Sequence, residues 1–140
     1  MNKTISELIS DQQSKQFAVN AGRLVHSQLQ FVNRYPELMN KIKTVPGLDA
    51  FFADNSQTEV PVAAILNNRF VSRRIDRLVI NDTTKTIKIL DYKTDINPDE
   101  FYDKYVLQLT EYKEILSKIY PKYKIETYIL WLHDWRLEQI

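Results

Sequence analysis

Three charged side chains have the types and spacing expected of a hydrolytic metal site. Asp91 and Lys93 stand two apart at the end of the apolar run Ile87–Lys93, whose strand-like alternation predicts that they share one face. A carboxylate buried there is unfavourable unless something pairs with it, and Lys93 alone would make a simple ion pair. Asp76 lies fifteen positions before Asp91, in a second apolar run, Phe70–Ile80. A structural ion pair and a metal site are both open from these residues alone.

A hairpin between the two runs brings the acids together. With a turn near Asn81–Thr84, residues whose numbers sum to about 165 to 167 face each other, so Asp76 lies opposite Leu90 and Asp91. Two carboxylates this close repel each other unless a proton or a cation lies between them. Mg²⁺ prefers oxygen ligands and needs only one or two carboxylates besides water and substrate phosphate. We therefore predict a metal that activates water and polarises a phosphoryl oxygen, with Lys93 stabilising the developing charge or orienting the water. The alternative is a salt-bridged hairpin.

Other polar residues stand where such a site would need them. His26 lies on the apolar side of a predicted helix, where it is either a ligand for Mg²⁺ or Mn²⁺ or a packed core residue. Gln108 and Tyr112 are four apart on a later predicted helix and share one face. They either contact a phosphate or order the loop that carries Asp91, or they form a solvated polar stripe.

Arginines crowd the predicted strand that carries Asp76. Arg73, Arg74 and Arg77 are the candidate contacts to DNA phosphates. Because neighbouring side chains of a strand alternate between its faces, the three cannot all line one cleft.

The elements that position these residues change from helical to strand periodicity along the chain. The spacing predicts helices over about residues 14–35, 37–43 and 98–119, and strands over Thr58–Leu66, Phe70–Ile80, Thr86–Tyr92, Lys124–Leu132 and Arg136–Ile140. This order predicts an α/β fold in which a mixed sheet, with a three-strand meander, a helix and a further strand, is flanked by helices. The 140 residues fit one domain, with a helical N-terminal part over about 1–55 and the catalytic sheet and helix over about 58–140.

Composition excludes several kinds of site. The chain has no cysteine, which rules out disulfides, thiolate zinc sites and thiol nucleophiles, and its two glycines cannot make a phosphate-binding Gly-rich loop. A net charge of +1 means that any DNA contact must come from a local patch. Neither a signal core nor an apolar run long enough to span a membrane is present, so we expect a soluble, cytosolic protein.

Four motifs in order resemble the RecB-type branch of the PD-(D/E)XK nuclease superfamily. They are Gly22-Arg23-Leu24-Val25-His26, Ile75-Asp76-Arg77-Leu78, Asp91-Tyr92-Lys93-Thr94-Asp95 and Gln108-Leu109-Thr110-Glu111-Tyr112. Within that branch the chain is most similar to the C-terminal nuclease domain of AddA-type bacterial helicase–nucleases, a similarity that reaches Trp131. Arg73 and Ala21 depart from the family pattern, which often has glycine and arginine there.

The resemblance implies a restriction-endonuclease-like core, with Mg²⁺ or Mn²⁺ bound by His26, Asp76, Asp91 and the backbone carbonyl of Tyr92. It also implies that Lys93 is catalytic and that Gln108 and Tyr112 support the site. Glu59 is a further acid near the site, although it would equally serve to hold a basic partner. The implied activity is hydrolysis of DNA, as an exonuclease acting on single-stranded ends in double-strand-break repair, as part or partner of a helicase in the bacterial cytosol.

Two other functions remain open from the sequence. One is a small stand-alone DNA nuclease that works without a motor. The other is a non-catalytic module that keeps a nuclease fold for docking to DNA or protein.

Overall fold

A computed structural model describes residues 4–140, apart from the side chains of residues 11 and 14–20; the first three residues of the predicted domain lie outside that range. The helices are α1 (Ile5–Leu29), α2 (Pro36–Lys43) and α3 (Tyr102–Ile119), and the strands are β1 (Ser56–Leu66), β2 (Arg69–Asn81), β3 (Thr86–Lys93), β4 (Lys124–Trp131) and β5 (Arg136–Gln139). Short 3-10 turns lie at Val32–Arg34, Asp49–Phe52 and Pro98–Glu100.

The five strands form one mixed sheet in the order β1-β2-β3-β4-β5. All neighbouring strands are antiparallel except β3 and β4, which are parallel and are joined through α3. A parallel pair needs a crossover connection of this kind, because a short turn cannot return the chain to the starting edge. The predicted α/β architecture, with a meander, a helix and further strands, is thus confirmed at the level of a mixed sheet flanked by helices.

The register of the β2–β3 hairpin agrees with the sequence prediction. Arg77 pairs with Leu90 and Ile80 pairs with Ile87, so paired numbers sum to 167. Asn81 closes the turn, since its side chain accepts hydrogen bonds from the backbone N–H groups of Thr83 and Thr84. Asp76 and Asp91 therefore stand at the same level, one step beyond the last backbone pair.

Apolar side chains fill both faces of the sheet. On one face Leu109, Tyr112 and Ile115 of α3 pack against side chains that include Ile75 and Ile89. The opposite face is covered by the end of α1, by α2 and by the turn that contains Phe51, and these bury Leu29, Ile42, Leu90, Tyr92 and Leu130. The sheet is the middle of three layers, and β3 contributes buried side chains to both cores.

Helix α1 begins nine residues earlier than the sequence periodicity predicts and ends at Leu29 rather than Tyr35. Its start is fixed by a capping box, in which the Thr4 hydroxyl accepts from the N–H of Glu7 while the Glu7 carboxylate accepts from the N–H of Thr4. Pro36 opens α2 at a position where proline is favoured. Over the described part of the chain, every helix is too short or too polar to span a bilayer.

The β1–β2 hairpin is kinked at the level of Glu59 and Asp76. Thr58 and Arg77 are paired and lie beside the same pocket on the α1 side, whereas the next backbone pair, Val60 and Ile75, packs on the α3 side. Side chains two apart normally share a face, so each strand carries one extra residue here. Glu59 takes a positive φ of 51°, which is the backbone signature of this distortion. The kink brings the side chains of Glu59 and Asp76 close to His26.

Candidate metal centre

The centre forms where β2 and β3 separate. Their backbone pairing ends at Arg77 and Leu90. Beyond this pair, the backbone N–H of Tyr92 donates a hydrogen bond to Asp76 Oδ2 at 2.9 Å, so this carboxylate accepts in place of a backbone carbonyl. The carbonyl of Tyr92 lies on the same side of its strand as the N–H and so faces the same gap. The gap thus presents a carboxylate and a backbone oxygen, which are ligands that Mg²⁺ and Mn²⁺ favour.

Asp91 is the most deeply buried acid of the centre, with 2% of its surface exposed. The ammonium of Lys93 forms an ion pair with Asp91 Oδ2 at 2.7 Å, and this oxygen is buried. Burial and the neighbouring Asp76 carboxylate raise the pKa of Asp91 to about 7, against the opposing effect of Lys93. Asp91 therefore keeps its proton up to about neutral pH, because Lys93 alone does not offset burial and the charge of Asp76. A divalent cation would stabilise the ionised carboxylate.

Asp76 differs from Asp91 because it has several partners. Burial tends to raise its pKa, but hydrogen bonds with His26, Asp91 and the Tyr92 backbone outweigh burial and lower it. His26 Nε2 lies 3.4 Å from Asp76 Oδ1, and this contact raises the pKa of His26 against the effect of burial. The pKa of Asp91 is thus raised while that of Asp76 is lowered. Opposite shifts of this kind are common at functional sites and also occur in structural ion-pair networks.

Glu59 joins the centre more closely than the sequence indicated. His26, Glu59 and Asp76 each offer one ligand atom, and these three atoms lie within 4.8 Å of one another. Glu59 Oε1 is 3.6 Å from His26 Nε2 and also accepts a hydrogen bond from Gln30 at 2.9 Å. Strand periodicity gives no hint of this arrangement, because the kink redirects the side chain. The donor set of two or three carboxylates, an imidazole and a carbonyl fits Mg²⁺ or Mn²⁺.

Gly22 explains how α1 comes close enough to deliver His26. A Cβ at position 22 would lie 2.5 Å from Thr94 Cγ2, so only glycine lets the helix pass the residue that follows Lys93. His26 is four residues further on and therefore lies on the same side of the helix. Its ring meets the edge of the Tyr92 ring, with centroids 4.9 Å apart. His26 thus faces the acids, and the alternative of a histidine packed away from them is excluded.

Helix α3 holds the side chain of Lys93. The ammonium donates to Gln108 Oε1 at 2.7 Å and lies 4.2 Å from the centroid of the Tyr105 ring. Gln108 in turn donates to the Tyr112 hydroxyl at 2.8 Å, and that hydroxyl donates to the carbonyl of Arg74. Gln108 and Tyr112 therefore position Lys93 rather than forming a solvated stripe.

Tyr105 is a partner of Lys93 that the sequence analysis missed. Its hydroxyl donates to the carboxylate of Asp95, and its ring packs against Trp131. The signal was its spacing, since Tyr105 and Gln108 are three apart and must share a helix face.

The three candidate arginines have different environments. Arg77 is 5% exposed, and its guanidinium donates to Tyr92, Ser56 and the carbonyl of Leu29. The prediction that Arg77 contacts DNA is therefore wrong, because the kink turns this side chain into the core. Arg73 lies against α3 in an ion pair with Glu111 at 2.5 Å, and Arg74 is the most exposed of the three.

No family model matches the sequence, and no curated protein matches it either. The candidate function therefore rests on the geometry described above.

Proposed function

We propose that this chain is a divalent-metal-dependent nuclease domain of the RecB-type branch of the PD-(D/E)XK superfamily, with a restriction-endonuclease-like core. One observation carries the proposal. Two carboxylates, Asp76 and Asp91, meet where β2 and β3 part, and the pKa of Asp91 is raised to about 7 although the ammonium of Lys93 lies 2.7 Å from its Oδ2. One ammonium does not offset burial and the repulsion between two neighbouring carboxylates, whereas a divalent cation held by oxygen ligands would.

The metal would be held by Asp76, Asp91, His26 and the Tyr92 carbonyl, with Glu59 as an additional ligand. Bound Mg²⁺ or Mn²⁺ lowers the pKa of a coordinated water and polarises a phosphoryl oxygen. His26 has a raised pKa in the metal-free protein and gives up its proton before it can act as a ligand. Proton release should therefore accompany metal binding.

Lys93 provides a fixed positive charge beside the scissile phosphate. Gln108 and the Tyr105 ring hold its ammonium from the α3 side, so the charge requires little reorganisation when the transition state forms. Such a preorganised donor contributes on the order of 100- to 1,000-fold to a rate. We assign Gln108 and Tyr112 a positioning role, because they reach the reacting groups only through Lys93.

Single-stranded DNA ends, delivered by a helicase domain or subunit, are the substrate we propose. This part of the proposal rests on the sequence resemblance. Cleavage of linear but not circular single strands in Mg²⁺ or Mn²⁺ would establish exonuclease action.

The test compares Asp91→Asn and Lys93→Met with Lys88→Met, which removes a lysine from the same strand away from the centre. We expect the first two variants to lose at least about 100-fold in cleavage rate and Lys88→Met to retain it. Calorimetric titration with Mn²⁺ provides a second readout, in which Asp91→Asn binds weakly and Lys93→Met still binds. Cleavage that survives both site substitutions would refute the assignment. Metal binding without any cleavage would instead favour the non-catalytic docking module.

A further inference from the structure

Beyond the kink, the β1–β2 hairpin leaves one face open to solvent. Its inner face, which includes Val62 and Ile75, packs toward α3. We call the opposite surface the hairpin face, and all of its residues are exposed; they are Pro61, Ala63, Ile65, Phe70, Ser72 and Arg74. Small side chains in the middle make this surface shallow, with larger ones at its two ends.

The outer end of the hairpin face is apolar. Ile65 and Phe70 are paired across the strands and are 65% and 75% exposed. Asn67 and Asn68 close the turn beyond them with positive φ angles of 50° and 64°. The ring of Phe70 is therefore held on a well-defined hairpin while contacting little of the protein. Together with Ile65, Phe70 forms a small contiguous apolar patch that is exposed at the end of the hairpin.

The hairpin is also strongly basic. Residues 60–75 contain three arginines and no acidic residue, in a chain whose net charge is only +1. Arg73 is engaged by Glu111 on the α3 side, and the exposed Arg69 alternates to that same side. Arg74 lies on the hairpin face, and although its guanidinium is 3.9 Å from Glu59, 69% of its side chain is exposed. The hairpin face thus presents Arg74 to a polyanion.

The hairpin face leads directly to the metal centre. Arg74 pairs with Pro61, and Glu59 and Asp76 lie beyond the inward-facing pair Val60 and Ile75. Phe70 precedes Asp76 by six positions, which corresponds to at most about 20 Å of strand. A polyanion lying on this surface would therefore reach the metal centre at Glu59 and Asp76.

We propose that the hairpin face binds a single strand of nucleic acid that runs into the metal centre, with an unpaired base stacked on Phe70 and a backbone phosphate at Arg74. This inference rests on the proposed nuclease function and adds the path of its substrate. Stacking on an aromatic ring requires an unpaired base, so the surface selects single strands over duplex. A protein partner is the competing occupant, but the excess of arginine and the continuity with the centre favour nucleic acid.

Fluorescence anisotropy with a labelled oligothymidylate in EDTA, which prevents cleavage, tests the stacking contact. Phe70→Ala should weaken binding at least about fivefold, whereas Phe70→Tyr should bind as the wild type does. Phe70→Leu keeps an apolar side chain but cannot stack, so it should weaken binding as alanine does. Ile119→Ala removes an exposed apolar side chain at the end of α3 and should have no effect. Because the Phe70 ring is mostly exposed, these substitutions are expected to leave folding intact.

The contact at Arg74 is tested by salt dependence. For single strands, each phosphate contact contributes about 0.7 to the slope of log K against log salt concentration, so Arg74→Ala should reduce the slope by about 0.7. Duplex DNA of the same length should bind more weakly and should not respond to Phe70→Ala. Wild-type affinity of Phe70→Ala for the oligothymidylate would overturn the proposal. Wild-type affinity of Phe70→Leu would also overturn it and would point to an apolar contact of the kind used in protein docking.

Hydrolysis of bis(p-nitrophenyl) phosphate separates this inference from the proposed function. That small diester needs the metal centre but cannot reach the hairpin face, so Phe70→Ala should hydrolyse it at the wild-type rate. Loss of strand affinity with unchanged hydrolysis supports the path. If Asp91→Asn leaves hydrolysis intact, the nuclease assignment fails, whereas the anisotropy experiment still reports on the hairpin face.

Discussion

Replacing Arg77 with methionine tests how the metal centre is supported from the core. The guanidinium donates to the Tyr92 hydroxyl at 3.0 Å, to Ser56 Oγ at 2.8 Å and to the Leu29 carbonyl at 2.6 Å. It also lies 4.1 Å from the centroid of the Phe52 ring. Methionine would fill much of the space, but it would leave the Tyr92 and Leu29 oxygens without their donor.

The expected loss in free energy of unfolding follows from the burial of Arg77 and from its hydrogen bonds. A hydrogen bond to a charged group contributes about 1.5–3 kcal/mol, but the three are not additive, and the cost of burying the arginine is recovered on its removal. We therefore expect Arg77→Met to lower the free energy of unfolding by about 3 kcal/mol, a large part of the roughly 5–15 kcal/mol of a small domain. Arg73→Met is the matched control, because its partly exposed ion pair with Glu111 should contribute at most about 1 kcal/mol.

Urea unfolding followed by tryptophan fluorescence measures both variants. Arg77→Met should shift the midpoint well below that of Arg73→Met, with a similar dependence on urea concentration. If the two variants differ by less than about 0.5 kcal/mol, the reasoning about the buried guanidinium is refuted. Single-strand binding gives a second check, because Arg77→Met should not change the salt dependence of binding in the folded protein. A reduced slope would mean that Arg77 reaches a phosphate after all.

Three further predictions concern the metal centre. Gly22→Ala should destabilise the protein by about 1–3 kcal/mol and weaken Mn²⁺ binding, because the new Cβ would clash with Thr94 Cβ and Cγ2. Adding Thr94→Gly removes these two atoms and should restore stability in urea titrations and Mn²⁺ affinity in calorimetric titrations. Glu59→Gln should weaken Mn²⁺ binding by about 10-fold or more, as loss of a carboxylate at a metal site does, whereas Glu114→Gln on the surface of α3 should not. If the two variants bind Mn²⁺ with equal affinity, Glu59 is not a ligand. Because Asp91 and His26 must both lose a proton to bind a cation, metal affinity should rise with pH up to about 7, by more than about tenfold per pH unit where both are protonated, and calorimetry below and above that value would detect a flat profile.

Local periodicity was enough to predict the hairpin that brings Asp76 opposite Asp91. Strand alternation and the turn at Asn81 fix that register without reference to the rest of the chain. The spacing also predicted that Gln108 and Tyr112 share a helix face, although their hydrogen bonds to Lys93 and Arg74 depend on how α3 packs across the sheet.

The missed features depend on departures from regular geometry. Strand alternation places Arg77 on the same face as Ile75, and only the kink moves it to the opposite core. The same kink brings Glu59 to His26, so one irregularity explains both placements. The early start of α1 was readable, because Thr4 and Glu7 have the spacing of a capping box.

The paired extra residues at Glu59 and Asp76 have a consequence for how sequences of this fold can change length. Removing both would leave a regular hairpin in which Val60 and Ile75 keep their face, so the apolar core does not require either residue. Removing only one would leave the other as an unmatched bulge. Insertions and deletions at this level should therefore occur in both strands together, and a shortened hairpin of this kind should fold while lacking two of the acids that we propose as metal ligands.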